Sequence, residues 1–314
     1  MNAILKKFGY NGHSRRNRFR RKLVSSVLPI FFGILTSVCF AIASLLAQRG
    51  YHLAAAPWGA WITIAGNTVF LLSAHFLLDP FAPILVNDNL IFVAVGLLVP
   101  GVTRVLSFRG IRTMGSSVTS TIINTTPMFS TVLAILLLGE RPGPWVIAGV
   151  FVTVCGLITV SWTGATSSYH KIELIFPFLC ALIFAWKDVT VRWGLGDGGG
   201  QPILAAGIAA LTSTVEIFLI TRYLHGEKFR LPAANAARWF VWSGIFTGGS
   251  FLCMYVALSM ERVTIIAPLI NSYAVFVLML TPFMARQIES VTRRKIAGAA
   301  MVVAGIFMVA LGKH

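Results

Sequence analysis

The sequence predicts an all-α integral membrane fold of ten transmembrane helices, arranged as two five-helix repeats of inverted topology. Three observations predict it: the composition, the number of long apolar stretches and an internal repeat. Of the 314 residues, 56% are hydrophobic and 11% are charged, and the mean hydropathy is +0.80. A soluble domain typically carries about 25% charged residues. The chain therefore has too little charge to cover a soluble surface, which argues against soluble enzymes and nucleic-acid-binding folds.

The net charge of +16 is unevenly distributed along the chain. The first 22 residues hold eight Lys and Arg residues and no acid, whereas the other 292 hold 18 basic and 10 acidic residues. A basic tail on an apolar body is typical of a membrane protein, so we expect the lipid bilayer as a partner and not nucleic acid. Residues 1–22 are predicted to be a basic cytoplasmic tail, without the form of a signal peptide.

Ten apolar stretches are long enough to cross a bilayer, for which a helix needs about 20 residues. They are separated by short polar or Gly/Pro breaks and run over 24–47, 57–78, 90–108, 114–138, 143–163, 172–193, 202–222, 236–259, 263–285 and 293–312. We call them spans 1 to 10. The loops between them are too short to fold as soluble domains. The chain is therefore predicted to form one membrane domain, with repeats at 23–165 and 170–312.

The two halves of the chain share residues that are unusual inside apolar helices. An offset of 147 residues places Ile123-Asn124 on Ile270-Asn271. An offset of 149 residues aligns a glutamate and two glycines of each half: Glu140 with Glu289, Gly149 with Gly298 and Gly156 with Gly305. Paired polar residues and glycines favour an ancient duplication. Because five spans is an odd number, the second repeat enters the membrane from the opposite side.

The same residues carry a family resemblance, which covers both halves. The first half contains, in order, Phe108-Arg109-Gly110-Ile111, Ser116-Ser117-Val118-Thr119-Ser120, Pro127, Leu138-Gly139-Glu140-Arg141 and Gly149…Gly156. The second half contains Tyr255-Val256-Ala257-Leu258, Asn271, Glu289 and Gly298…Gly305. This order and spacing resembles the EamA-type domains of the drug/metabolite transporter superfamily.

The resemblance implies a secondary transporter in the plasma membrane that moves a small organic metabolite, amino-acid-like or related, by alternating access. A flippase for a lipid or a polyprenyl-linked sugar, in the same superfamily, is the alternative. The second half departs from the pattern, because Ala274 stands where the first half has Pro127, and 285–289 replaces the compact Gly-Glu-Arg turn. The two halves need not bind a solute equivalently.

Charged residues at membrane depth are candidates for the transport pathway, because each costs at least about 2.5 kcal/mol there. Glu216 is the deepest acid, and it is either a proton-coupling or cation-contacting carboxylate or a structural acid. Lys187 either lines a cavity or extends to the interface. The spacing of Asp188 and Arg192 favours a local ion pair. Lys187 and Glu216 are expected in opposite halves of the bilayer, too far apart for a direct salt bridge.

Three asparagines and three aromatic residues complete the predicted substrate and ion pathway. Asn124 and Asn271 are the repeat-related polar pair near the midplane, and Asn67 lies in the middle of span 2. Each either faces the cavity or bonds a neighbouring helix. Pro127 frees the carbonyl of Ile123 beside Asn124, which suits a cavity wall or a hinge. Aromatic walls for an organic solute are expected from a separate set, Trp186, Tyr255 and Tyr273.

No cofactor or metal site is predicted, and an intramembrane enzyme is poorly supported because catalytic motifs are absent from the sequence. The four cysteines lie singly in apolar runs and are read as small buried hydrophobes. His75 and Asp79 have a spacing that could bind a metal, but an interfacial pair is the simpler interpretation. Glu140 and Glu289 are expected to cap the spans that follow them. Oligomeric state is not predicted.

The orientation signal in the sequence is divided. With the tail inside, the inner and outer segments each hold 13 Lys and Arg residues; without the tail, the loops favour the opposite orientation by 13 to 5. Charges that abut the first span usually dominate orientation. Both termini are therefore predicted to be cytoplasmic.

Overall fold

The computed structural model describes residues 15–53, 58–78, 89–162, 170–196, 201–224, 226, 228–284 and 292–313. Part of the basic tail and both Asp79 and Glu289 lie outside these residues, so the expectations placed on them are outside the described structure. The regular structure within the described ranges is helical. Its α-helices are Arg15–Leu53, Gly59–Leu78, Leu90–Gly96, Thr103–Ile123, Thr126–Leu138, Pro144–Ser161, Ile175–Leu195, Pro202–Leu219, Ala234–Met260, Val263–Ile270, Tyr273–Met284 and Arg293–Leu311.

Short π-helical turns lie within span 3, at Leu97–Val102, and at the end of span 7, at Ile220–Leu224. A 3₁₀ turn, Lys171–Leu174, lies at the start of span 6. In the described part of the chain, nine helical segments are long and apolar enough to cross a membrane, and Thr126–Leu138 is a shorter apolar helix. One segment, Leu90–Ile123, covers span 3 and the start of span 4. The prediction of an all-α, ten-helix membrane protein is confirmed.

Spans 3 and 4 meet at a different place from the one predicted. The apolar stretch of span 3 ends at residue 108 and predicts a loop over 109–113, but the chain stays helical through Met114. The break falls at Gly115, whose φ of 84° and ψ of 163° are open to glycine and strained for other residues. Polar residues such as Arg109 and Arg112 end the apolar stretch without ending the helix. Span 4 therefore starts immediately after Gly115.

Spans 4 and 9 are each interrupted near their middle, at the repeat-related asparagines. Helical geometry breaks into a turn at 124–125 in span 4 and at 271–272 in span 9. Pro127 stands within the first turn of the helix that restarts span 4, where a missing N–H costs little. The carbonyl of Ile123 accepts a hydrogen bond from the Thr126 hydroxyl at 2.6 Å. The turn therefore provides a local hydrogen-bond donor for the Ile123 carbonyl, which Pro127 leaves without a helical N–H donor.

The helix neighbours follow a two-fold pattern. Spans 1 and 8 pack together, as do their equivalents, spans 6 and 3. Spans 4 and 6 pack together, as do their equivalents, spans 9 and 1. Spans 2 and 8 pack together, as do their equivalents, spans 7 and 3. Each of these pairs becomes its mate when five is added to or subtracted from the span numbers. Spans 5 and 10, and spans 2 and 7, pack directly against each other. This is the packing expected of two equivalent five-helix units.

Glycine contacts between spans 5 and 10 give the direction of that symmetry. A Cβ atom on Gly149 would lie 2.7 Å from the carbonyl oxygen of Gly305, and one on Gly156 would lie 2.7 Å from that of Gly298. The residue numbers rise on one span as they fall on the other, so the two spans are antiparallel. Exchanging each glycine for its repeat mate converts the first contact into the second. An inverted repeat predicts this exchange, while the repeat bounds 23–165 and 170–312 stay a prediction.

Candidate functional site

A buried ion pair lies in the middle part of span 6. The Lys187 Nζ atom is 2.8 Å from Oδ1 of Asp188, and their side chains are only 9% and 1% exposed. Oδ2 of Asp188 accepts a hydrogen bond of 2.9 Å from the Ser130 hydroxyl, on the part of span 4 that follows the break. Lys187 Nζ also lies 3.4 Å from the sulfur of Met254 in span 8. Residues from both halves of the chain therefore surround one charged pair.

The partners of this pair differ from those expected of the sequence. Lys187 is buried against Asp188 and Met254, which corrects the alternative that it extends to the interface. Asp188 was expected to pair with Arg192, one helical turn away, whereas the contacts above pair it with its neighbour and with Ser130. Nη1 of Arg192 donates to carbonyls at the end of span 8, those of Leu258 at 3.1 Å and Ser259 at 2.9 Å. Sequence spacing had identified the charges but not which of them meet.

A connected group of aromatic rings adjoins the ion pair. Tyr255 follows Met254 in the chain and is completely buried, and its hydroxyl has no hydrogen-bond partner among the described residues. Its ring centroid is 6.1 Å from that of Phe92 and 6.4 Å from that of Phe251. Phe251 in turn lies 5.6 Å from Phe40, which lies 6.3 Å from Tyr273. The predicted residues Tyr255 and Tyr273 thus belong to one aromatic group.

Trp186 is half-buried and packs against the hydrophobic core beside the charged pair. Phe40, Phe92 and Phe251, which complete the aromatic group, were not singled out from the sequence. Phenylalanine is too common in such a chain for any one ring to be distinguished before the helices are assembled. The structure identifies them by their contacts.

The three predicted asparagines lie in different settings. Asn124 is buried, and its amide donates to the Ser161 hydroxyl of span 5 at 2.5 Å. The amide of Asn271, which is half-buried, donates to the carbonyl of Ala267 within its own span at 2.8 Å. Asn67 is buried where span 2 crosses span 8, and its Oδ1 has no partner in the described part of the chain. The repeat-related asparagines mark equivalent helix breaks but make different hydrogen bonds.

Glu216 occupies a separate place, between spans 7 and 3. Its carboxyl group fills the space beside Gly101, and any Cβ atom at that position would overlap it. Its Oε2 atom is buried and has no hydrogen-bond partner among the described residues. Nearby, the Ser213 hydroxyl donates to the carbonyls of Gly96 and Val99 at 2.9 and 3.0 Å, where extended backbone at Val99 interrupts the helix. The contacts of Glu216 are distinct from those of Lys187, as expected of two groups without a direct salt bridge.

Glu140 makes a contact different from the one that its sequence position predicts. It was expected to cap span 5, the span that follows it. Instead its carboxylate accepts the backbone N–H groups of Val263 at 2.7 Å and Thr264 at 3.0 Å, at the start of span 9 in the other half of the chain. The partners are 123 and 124 residues away, so no local pattern could reveal them.

Metal ligation has no grouped side chains to support it in the described ranges, where no three His, Cys, Asp or Glu residues come together. His75 is buried at the end of span 2, and its expected neighbour Asp79 lies outside the described residues. The arrangement is suited to solute or ion binding by charged and aromatic side chains.

Comparison with known proteins agrees with this architecture. Residues 27–162 match the model of the EamA-like transporter family. A solved structure described only as the crystal structure of a protein superimposes on 91% of this chain and 97% of its own, with a TM-score of 0.74 at 16% sequence identity. At that identity the likeness shows the fold alone, over both halves. A search of curated proteins found no match. The family match thus covers the first half of the chain, which is similar to EamA-like transporters.

Proposed function

We propose that this membrane protein is a secondary transporter that moves a small organic metabolite, amino-acid-like or related, by alternating access. The observation that carries the proposal is the Lys187–Asp188 pair, buried at membrane depth and contacted from both halves of the chain. Buried charges in a membrane are costly and mark solute or ion pathways. Transporters with inverted repeats bind their solutes near the midplane, beside interrupted helices. Spans 4 and 9, interrupted at Asn124 and Asn271, supply that feature here.

The same site offers complementary groups to a small organic solute. Lys187 and Asp188 can each exchange their mutual contact for an oppositely charged group of the solute, so no charge is left unpaired. The aromatic group, with Tyr255 and Tyr273, and the neighbouring Trp186 supply apolar walls. Asn124, Asn271 and Asn67 are proposed to contribute polar contacts along the pathway as its walls rearrange.

Proton coupling is proposed to run through Glu216. Its Oε2 atom is buried beside Gly101 without a hydrogen-bond partner in the described structure, a position in which a protonated carboxyl is far less costly than a carboxylate. Uptake or loss of a proton there accompanies a change in how spans 7 and 3 pack. Solute movement and proton movement are thereby linked.

The transporter is proposed to lie in the plasma membrane with both termini in the cytoplasm, because the basic tail abuts span 1. In this orientation, Val263 at the start of span 9 is on the cytoplasmic side and Ser117 near the start of span 4 is on the external side. Side-specific labelling of cysteines placed near these two positions measures the orientation directly. Labelling from the reverse sides contradicts it.

Uptake into liposomes tests the function. Purified protein is reconstituted and given a panel of radiolabelled amino acids, N-acetyl amino acids, nucleosides and sugars under a pH gradient of either sign. Wild type is expected to accumulate at least one solute, and Glu216→Gln to lose gradient-driven accumulation while retaining solute exchange. Glu173→Gln, at an acid in the 3₁₀ turn before the helix Ile175–Leu195, is the matched control and should accumulate solute as wild type does.

Two results contradict the proposal in different ways. If Glu216→Gln accumulates solute as wild type does, Glu216 is not the coupling group. If no solute moves but a fluorescent phospholipid or a polyprenyl-linked sugar crosses the same bilayer, the flippase alternative replaces metabolite transport.

A further inference from the structure

We propose that Glu140 is a positioning residue for transport: its carboxylate holds the first half of span 9 in place and keeps that side of the transporter closed. The inference rests on the alternating-access function proposed above. It concerns the residue that sets which side is closed, a role that the substrate pathway residues do not fill.

Glu140 bridges the end of span 4 and the start of span 9. Gly139 has a φ of +66°, and the chain turns there so that the Glu140 N–H bonds back to the carbonyl of Ala134 at 3.2 Å. The carboxylate then reaches the N–H groups of Val263 and Thr264 at 2.7 and 3.0 Å. The first N–H groups of a helix have no partner within it, and negative charge is stabilising there. Glu140 therefore ties the end of span 4 to the start of span 9.

The first halves of spans 9 and 4, which are related by the repeat, differ in burial. All eight residues of Val263–Ile270 are buried. In the equivalent segment of span 4, 116–123, the buried residues are Val118, Thr119 and Thr121, and Ser116 is exposed. Two equivalent segments with unequal burial describe a molecule that is closed around one of them. The closed side is the side on which Glu140 lies.

The packing of the closed half-span determines what must move for that side to open. The carbonyls of Leu269 and Ile270, at the end of this half-span, accept hydrogen bonds from the Ser37 hydroxyl of span 1. The half-span itself packs against spans 1 and 4. Reaching the buried pair from this side requires the first half of span 9 to move away from its neighbours. The two hydrogen bonds to Glu140 must break when its N-terminus leaves the end of span 4. The strength of this contact therefore sets how often that side opens.

Cysteine labelling at equivalent positions tests the proposal. In a variant with its four cysteines replaced by alanine or serine, Thr264→Cys reports on the closed half-span and Ser117→Cys on its mate, because the two are 147 residues apart. Modification by a membrane-impermeant maleimide is measured from each side in sealed vesicles. Thr264→Cys is expected to react slowly and Ser117→Cys faster, from the opposite side.

Removal of the carboxylate is expected to release the closed side. Glu140→Ala should raise the modification rate of Thr264→Cys by about tenfold or more, since hydrogen bonds to charged groups contribute at least this much to an equilibrium. Glu140→Gln, which keeps one acceptor oxygen, should give a smaller increase. The rate at Ser117→Cys should stay the same or fall. Glu173→Ala removes a carboxylate outside the contact and should change neither rate.

Three results overturn the proposal: no increase at Thr264→Cys with either Glu140 variant, an equal increase at Ser117→Cys, or the same increase with Glu173→Ala. A variant that merely unfolds is recognised because both cysteines become reactive and its elution from a sizing column changes. In that event, Glu140→Gln decides. Labelling needs no solute, so failure of the contact is distinguishable from failure of metabolite transport, which the uptake assay measures.

Discussion

At the scale of single residues, the ion pair in span 6 is costly to bury in a membrane, and each of its charged groups has a specific partner. Lys187 and Asp188 neutralise each other, and Ser130 satisfies the second carboxylate oxygen. The sequence predicted that Lys187 lies deep in span 6, because charge is rare in such a stretch. It could not predict the pairing, since neighbouring side chains on a helix point in different directions and the long Lys187 chain must fold back. Contact with spans 4 and 8 decides that conformation.

The pair predicts a clear double-mutant result. Lys187→Met leaves Asp188 buried without a cation and is expected to lower the free energy of unfolding by about 3–5 kcal/mol. Asp188→Asn leaves Lys187 without its anion and should also destabilise. The combined variant should lose much less free energy of unfolding than the two single variants lose together, because neither charge remains unpaired. Denaturant unfolding in detergent micelles measures all three. Strictly additive losses would show that the two charges stabilise the fold independently.

At the scale of elements, the ten spans could be predicted to within a few residues because apolar length is a strong signal. Two features could not. Residues 109–114 continue a helix in spite of their polar composition, and the interruptions of spans 4 and 9 depend on hydrogen bonds that form only when the turn does. The paired asparagines did indicate where the interruptions lie. Their separate hydrogen bonds, to Ser161 and to Ala267, depend on tertiary placement.

The antiparallel contact of spans 5 and 10 predicts matched effects at repeat-related glycines. Gly149 and Gly298 are repeat mates: a Cβ at Gly149 would lie 2.7 Å from the backbone oxygen of Gly305, and one at Gly298 would lie 2.8 Å from that of Gly156. Gly149→Ala and Gly298→Ala should each destabilise by about 1–3 kcal/mol through overpacking, and by similar amounts. Gly143→Ala is the control, because its added Cβ would sit at an ordinary 3.6 Å from Gly312. Thermal unfolding measures the three. Unequal losses at the two paired positions would contradict the two-fold relation.

At the scale of the whole molecule, the odd number of spans per repeat predicted an arrangement that the helix neighbours follow. What the sequence could not supply is the conformational state. Two equivalent halves can be packed equally or unequally, and only assembly distinguishes the closed side, around Val263–Ile270, from the side of span 4. Glu140 belongs to this scale as well, because its contact joins the two halves of the chain.

Alternating access requires that one buried site is reached from each side of the membrane in turn. The most direct measurement uses a single cysteine at Tyr273, a half-buried position just beyond the break of span 9 in a chain without other cysteines. A membrane-impermeant maleimide is applied to right-side-out and to inverted vesicles. Alternating access predicts modification from both sides, slower from the closed side near Val263, and slowed from both by a transported solute. Modification from one side only, in wild type and in Glu140→Ala alike, would contradict it.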